Sequence, residues 1–132
     1  MDEDLTAQVA AAAPFTSFLG IEMVSASPHE VKARLAWSAD LCTAGGIMHG
    51  GALMGLADNV GGFCAFLNLP DGSGGTATIE SKTNFFGPVR GGYLHAVSRP
   101  LHTGRRTVVV DTELYDDAGK LVARVTQTQA VL

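Results

Sequence analysis

His49-Gly50-Gly51-Ala52-Leu53-Met54-Gly55-Leu56-Ala57-Asp58 opens the segment on which the reading of the whole chain turns. Leu53, Leu56, Ala57, Val60, Phe63, Cys64 and Leu67 recur at the three-and-four spacing that aligns apolar side chains on one helical stripe. The spacing predicts a long helix that starts beside Gly50 and runs to Leu67, its stripe turned to the core. With each residue advancing about 100° around the axis, Asp58 falls opposite the centre of that stripe, beside Gly51, Gly55 and Gly62. An interior glycine costs a helix about 1 kcal/mol relative to alanine. A face of small residues plus one carboxylate is therefore expected to meet another backbone, a ligand or a partner subunit at close range. On the helix alone a second reading stays open, a solvated aspartate beside tolerated glycines.

The chain has 132 residues, 46% of them apolar and 17% charged, which fits one globular domain over residues 1–132 with apolar surface to spare for an oligomer interface. A formal charge of −4 excludes a globally basic nucleic-acid binder. Cys42 and Cys64 have neither CxxC nor Cys/His spacing, so neither a disulfide framework nor a metal site is expected, and a reduced cytoplasmic setting fits. Asp2-Glu3-Asp4 is the wrong charge for a signal peptide, and no apolar run is read as approaching the roughly eighteen residues of a membrane span.

Around the helix the pattern is extended. Residues 1–19 read as a helical cover, alanine-rich to Pro14, with Phe15, Phe18 and Leu19 supplying apolar contacts before Gly20. Residues 21–26 and 31–37 are β-prone runs joined by Ser27-Pro28-His29, a first hairpin. Residues 38–48 read as a loop around Gly45-Gly46, and residues 69–75 as another around Pro70-Asp71-Gly72. Residues 76–86, 93–101, 106–115 and 121–131 then read as four strands, the last three in consecutive hairpins. One amphipathic helix among six strands predicts an α+β fold in which the helix covers one face of an antiparallel sheet.

His49-Gly50-Gly51 followed by Leu56-Ala57-Asp58 resembles the hotdog-fold acyl-CoA thioesterases of the phenylacetate-degradation (PaaI-like) and 4-hydroxybenzoyl-CoA type. Thr83-Asn84-Phe85-Phe86-Gly87-Pro88-Val89 resembles that family's strand ending in an aromatic and proline. Gly104-Arg105-Arg106 and Asp117-Ala118-Gly119-Lys120-Leu121-Val122-Ala123 resemble its closing hairpins, so the likeness spans residues 15–131. It implies a curved antiparallel sheet wrapped around the long helix, a homodimer commonly paired into a tetramer, and hydrolysis of an acyl-CoA thioester. Coenzyme A then belongs to the substrate, and no separate cofactor is expected.

A thioester carbonyl needs a donor for its developing oxyanion, and a helix N-terminus offers unpaired N–H groups. Gly50, lacking a Cβ, lets a carbonyl reach its amide, with Gly51 beside it on the substrate side; the residues alone also allow both glycines only to ease a tight loop-to-helix turn. His49 either orients this loop or touches the thioester. Asp58 is the one acid of the helix and can act as base or nucleophile. Eight residues of helix span about 12 Å, so Gly50 and Asp58 of one chain cannot converge on one carbonyl carbon. The resemblance likewise implies a site shared between subunits.

Thr78 matches a family position whose hydroxyl holds the catalytic water, although threonine also suits a strand for its β-propensity. Thr43 stands where relatives often carry Asn or Gln, a departure that shortens the reach of any hydrogen bond to the acyl carbonyl or water. Arg90, Arg105 and Arg106 lie in turns where guanidinium groups can meet coenzyme A phosphates, or simply sit in solvent. Phe63, Phe66, Phe85 and Phe86 either line an aryl pocket or pack in the core. The hydratase pattern of the same fold places a His five residues after the Asp, where this chain has Phe63. A non-catalytic acyl-CoA binding module is the competing reading, and Asp58 argues against it.

Overall fold

A computed structural model describes the whole chain, Met1–Leu132. The apolar stripe forms helix α3 (Gly50–Leu67), which buries Ala52, Leu53, Leu56, Ala57, Val60, Gly61, Cys64 and Ala65. Phe63 and Leu67, expected in the stripe, are half-buried at its margin. His49 caps the start of α3, and Asn68 closes its end by donating through Nδ2 to Cys64 O and Pro28 O, both at 2.8 Å. Although α3 carries a single charge and reaches the length and hydropathy of a membrane span, contrary to the reading of the sequence, its apolar face lies in the protein core.

Six strands form one antiparallel sheet in the order β1-β2-β4-β5-β6-β3. They are β1 (Glu22–Ser27), β2 (Glu30–Ala36), β3 (Thr76–Phe85), β4 (Tyr93–Thr103), β5 (Thr107–Tyr115) and β6 (Leu121–Val131). Alternate residues face α3: Val31, Ala33 and Leu35 from β2, Leu94 and Ala96 from β4, Val108, Val110 and Leu114 from β5. Fully burying each Val or Leu is worth about 1.5–3 kcal/mol, and these side chains join those of α3 in one continuous core. Ser98, Thr112, Gln127 and Gln129 are buried polar residues on the same inward face.

The two ends of the sheet matter for the site. The β3–β4 connection lies at the N-terminal end of α3, where the Met48 N–H donates to Val89 O at 2.8 Å. The β4–β5 turn lies at the opposite end, where Val131, paired with Thr76 at the start of β3, donates to Arg106 O. β3 pairs only with β6, leaving its other edge unpaired, and almost all of it is exposed, with Ile79 at 62% and Phe85 at 50%.

The N-terminal cover is two helices, α1 (Glu3–Ala12), capped by Asp2, and α2 (Pro14–Leu19). Of the apolar contacts expected from this cover, Leu19 packs against the core, whereas the rings of Phe15 and Phe18 stack on each other and remain 55% and 82% exposed. Pro14 occupies the first position of α2, and Thr16 points inward, where its hydroxyl donates to Asn59 Oδ1 of α3.

Candidate active site

At the start of α3 the backbone donors are distributed unevenly. The Gly51 N–H donates to His49 Nδ1 at 2.8 Å, and the N–H groups of Ala52 and Leu53 both go to His49 O. The Gly50 N–H has no acceptor within the chain. This is one free donor at the positive end of an eighteen-residue helix dipole, the arrangement that favours an anionic oxygen. Gly50 is half-buried beneath the ring of Phe85.

His49 is thus the helix cap, which fixes its ring with Nδ1 as acceptor and leaves Nε2 to carry the proton of the neutral form. Gly51 is needed for that cap, because a Cβ there would lie 2.9 Å from His49 Nδ1. Its amide is therefore occupied rather than available to a substrate.

Asp58 is exposed on α3 and has one partner in the chain: Gln127 Nε2 donates to its Oδ1 at 3.3 Å. Gln127 pairs in the sheet with Ser81 of β3, so Asp58 lies level with Ser81 and Gly50 level with Phe85. Four residues of strand span about 13 Å, matching the roughly 12 Å that eight residues of helix require. Gly50 thus lies beside the end of β3 and Asp58 beside β6, and one chain holds donor and carboxylate too far apart to act on one carbonyl.

The remaining candidates fall in different places. Thr78 accepts a hydrogen bond from Gln129 Nε2 at 2.7 Å, near the start of β3 and away from Gly50. Thr43 is exposed in the loop before α3, and its hydroxyl bonds to no group of the chain. Arg90 follows Val89, which is tied to Met48, and so sits at the Gly50 end; Arg105 and Arg106 lie in the turn at the far end of the sheet. Phe63 and Phe66 stack at 6.5 Å and border a cavity of about 300 Å³ between α1 and α3, lined also by Val9, Ala12 and Asn59. Phe86 is 55% exposed beyond the end of β3.

Sequence reasoning passed over Gln127 and Gly61. A Cβ on Gly61 would coincide with Gln127 Oε1 and approach its Cδ to 2.9 Å, so this helical glycine admits the glutamine amide. The interior glycine was the available signal, but it points to the core rather than to the face of Gly51, Gly55 and Gly62.

Known proteins agree with this architecture. The family described as the Thioesterase superfamily matches residues 45–123, from the loop before α3 into β6. The chain belongs to that superfamily, hotdog-fold thioester hydrolases. Thioesterase HI1161 of Haemophilus influenzae superposes over all of this chain and 90% of its own, at TM-score 0.89 and 25% identity. A mutant of the phenylacetic acid degradation protein PaaI from Thermus thermophilus superposes over 90% of this chain and 99% of its own, at TM-score 0.82 and 28% identity. In sequence, the 1,4-dihydroxy-2-naphthoyl-CoA hydrolase of Escherichia coli K12 is 32% identical over 87 residues, 66% of this chain and 63% of that protein.

Proposed function

We propose that the protein hydrolyses an aryl- or medium-chain acyl-CoA thioester to the free acid and coenzyme A, in sites shared between two copies of the chain. The observation that carries this reading is the free Gly50 N–H at the head of α3, beside Phe85 of the unpaired edge strand β3, together with the Asp58 carboxylate two turns on, held by Gln127 of the adjoining strand β6. An antiparallel second copy along β3 brings the Gly50 of one subunit abreast of the Asp58 of the other. The amide then stabilises the oxyanion, and the carboxylate either activates water or attacks the carbonyl carbon. With water as nucleophile, its proton passes to Asp58, its oxygen bonds to the carbonyl carbon, and the coenzyme A sulfur leaves as the thiolate.

The acyl group is assigned to the apolar cavity beside Phe63 and Phe66, which has room for an aromatic ring or a medium chain. Arg90, at the Gly50 end, is the arginine placed to meet coenzyme A phosphates of the site to which this Gly50 contributes. Arg105 and Arg106, beside the start of β3, come in the antiparallel pair to the end where the second copy carries its own Gly50.

The test is Asp58→Asn, assayed by free-thiol release over a panel of acyl-CoAs. Turnover falls at least about 10²-fold, the usual worth of a general base, while calorimetry still detects acyl-CoA binding. An Asp58→Asn protein that keeps more than about a third of wild-type kcat would instead support the binding-module reading, since a solvated surface charge has little effect.

A further inference from the structure

We infer that Gln127 is a positioning residue for Asp58, and that Gly61 is a glycine in order to admit it. This inference rests on the assignment of Asp58 to the chemistry. Gln127 is 1% exposed in the middle of β6, with its Nε2 donating to Asp58 Oδ1 at 3.3 Å and its Oε1 buried without a partner. The opposite amide orientation is excluded by chemistry, because it would set a carbonyl oxygen against a carboxylate oxygen. Stability does not explain the residue. A buried carbonyl with no donor is a cost, as is a glycine inside a helix, and an apolar side chain at 127 would remove the first while permitting removal of the second.

What the pair achieves is a fixed carboxylate. Asp58 stands on an exposed helix face where its rotamers would otherwise be free, and a single neutral donor from the sheet holds Oδ1, while Oδ2 has no partner in the chain. A positioned carboxylate with one unsatisfied oxygen is what a base or nucleophile needs.

No charged group competes for it within the chain. On β3 the inward residues level with it, Ser81 and Thr83, are neutral, while Glu80 and Lys82 share the opposite face with Thr128 and Thr126. β5 presents Val110 and Thr112, and the one other titratable group of α3 is Cys64, buried on the core side.

The decisive variant is Gln127→Met, which keeps the length of the side chain and deletes both polar atoms. Its melting temperature is expected to hold or rise, while kcat falls roughly 10- to 100-fold with KM little changed, the mark of a misplaced catalytic group. Gly61→Ala, which displaces the amide while residue 127 stays a glutamine, is expected to lower kcat in the same way, again with KM little changed. In an Asp58→Asn background Gln127→Met has no further effect on rate. If both variants keep the wild-type kcat while Asp58→Asn abolishes turnover, Gln127 is structural and the inference is overturned. If Asp58→Asn itself remains active, the assignment of Asp58 has failed and takes the positioning role with it.

Discussion

The ring of Phe85, at the end of the edge strand, lies on the Cα of Gly50: a Cβ built on Gly50 would sit 3.1 Å from Phe85 Cζ. The free amide of α3 is thus reached past an aromatic ring that is itself half exposed. This contact separates the two properties of Gly50, its lack of a side chain and its N–H.

Gly50 occupies the first position of α3, where proline is well tolerated because that N–H has no helical partner. His49 already has the extended backbone, φ −60° and ψ 137°, that a following proline requires. Gly50→Pro therefore removes the donor and leaves the helix intact, and we expect kcat to fall about 10²–10³-fold, the usual worth of an oxyanion donor. Gly50→Ala meets Phe85 as well but keeps the N–H, so it should lose far less. Equal loss in both variants would show that space, not the donor, is what matters there.

The arginines give a second expectation. Arg90→Ala is expected to raise KM for acyl-CoA several-fold with kcat nearly constant, the pattern of lost uniform binding. The effect should be smaller when the substrate thioester lacks the nucleotide phosphates. A wild-type KM for Arg90→Ala would move the phosphate site to Arg105 and Arg106 at the other end of the sheet.

How much of this was legible in the sequence depends on whether a residue's neighbours are local. The helix was readable because its apolar stripe repeats within a single element, and the hairpins because their turn residues are adjacent to the strands they join. Asp58 was readable as the one acid on that helix. Gln127 was not, because residues 126–129 read Thr-Gln-Thr-Gln, polar on both faces, and only the pairing of β6 with β5 and β3 decides which face is inward. The capping role of His49 had a local signal, an acceptor ring just ahead of two glycines at a helix start. The exposure of Phe15 and Phe18 had none, since it depends on how the six-residue α2 is seated on α3, with Thr16 turned inward to Asn59.

Thiol reactivity tests the packing of α3. Burial against the sheet pushes the Cys64 thiol up to about 11, while Cys42 is only half-buried in the loop before the helix. Near pH 8, one thiol per folded chain should react with an aromatic disulfide, and the second only in denaturant, since the thiolate is the reactive form. Cys42→Ser should abolish the native-state reaction. Two fast thiols in the folded protein would mean that α3 opens readily from its sheet.

On the outer face, the Asp117 carboxyl is held below its ordinary 3.8 by the hydrogen bond from His95 Nε2 and then by the Tyr93 N–H. A depressed folded-state pKa contributes stability that is present above the unfolded value and is lost as pH falls through the folded one. His95→Ala should raise the Asp117 titration, followed by NMR of its carboxyl carbon, back toward 3.8, and should make the acid-side stability less steep. An unshifted Asp117 in that variant would show that the Tyr93 amide alone sets its pKa.

The shared site makes the strongest claim on the assembly, and mixing two inactive proteins tests it. If each site takes its oxyanion donor from one subunit and its carboxylate from the other, a dimer of one Gly50→Pro chain and one Asp58→Asn chain carries both lesions in one site and neither in the second. Random exchange of equal amounts makes half of the dimers mixed, so about a quarter of wild-type turnover should return in a two-fold symmetric dimer. Pairing two β3 strands antiparallel about Thr83 sets Phe85 of one chain level with Ser81 of the partner subunit, and hence Gly50 level with the partner's Asp58. The Thr83 hydroxyl, buried and without a partner in the single chain, lies at the centre of that arrangement. The recovered activity should depend on the time allowed for subunit exchange, and should be absent when the two variants are assayed together before exchange. Were each chain to hold a complete site, every site in the mixture would keep one lesion and no activity would return. Continued silence after mass spectrometry had shown mixed dimers would therefore refute the shared site while leaving the family and its chemistry in place.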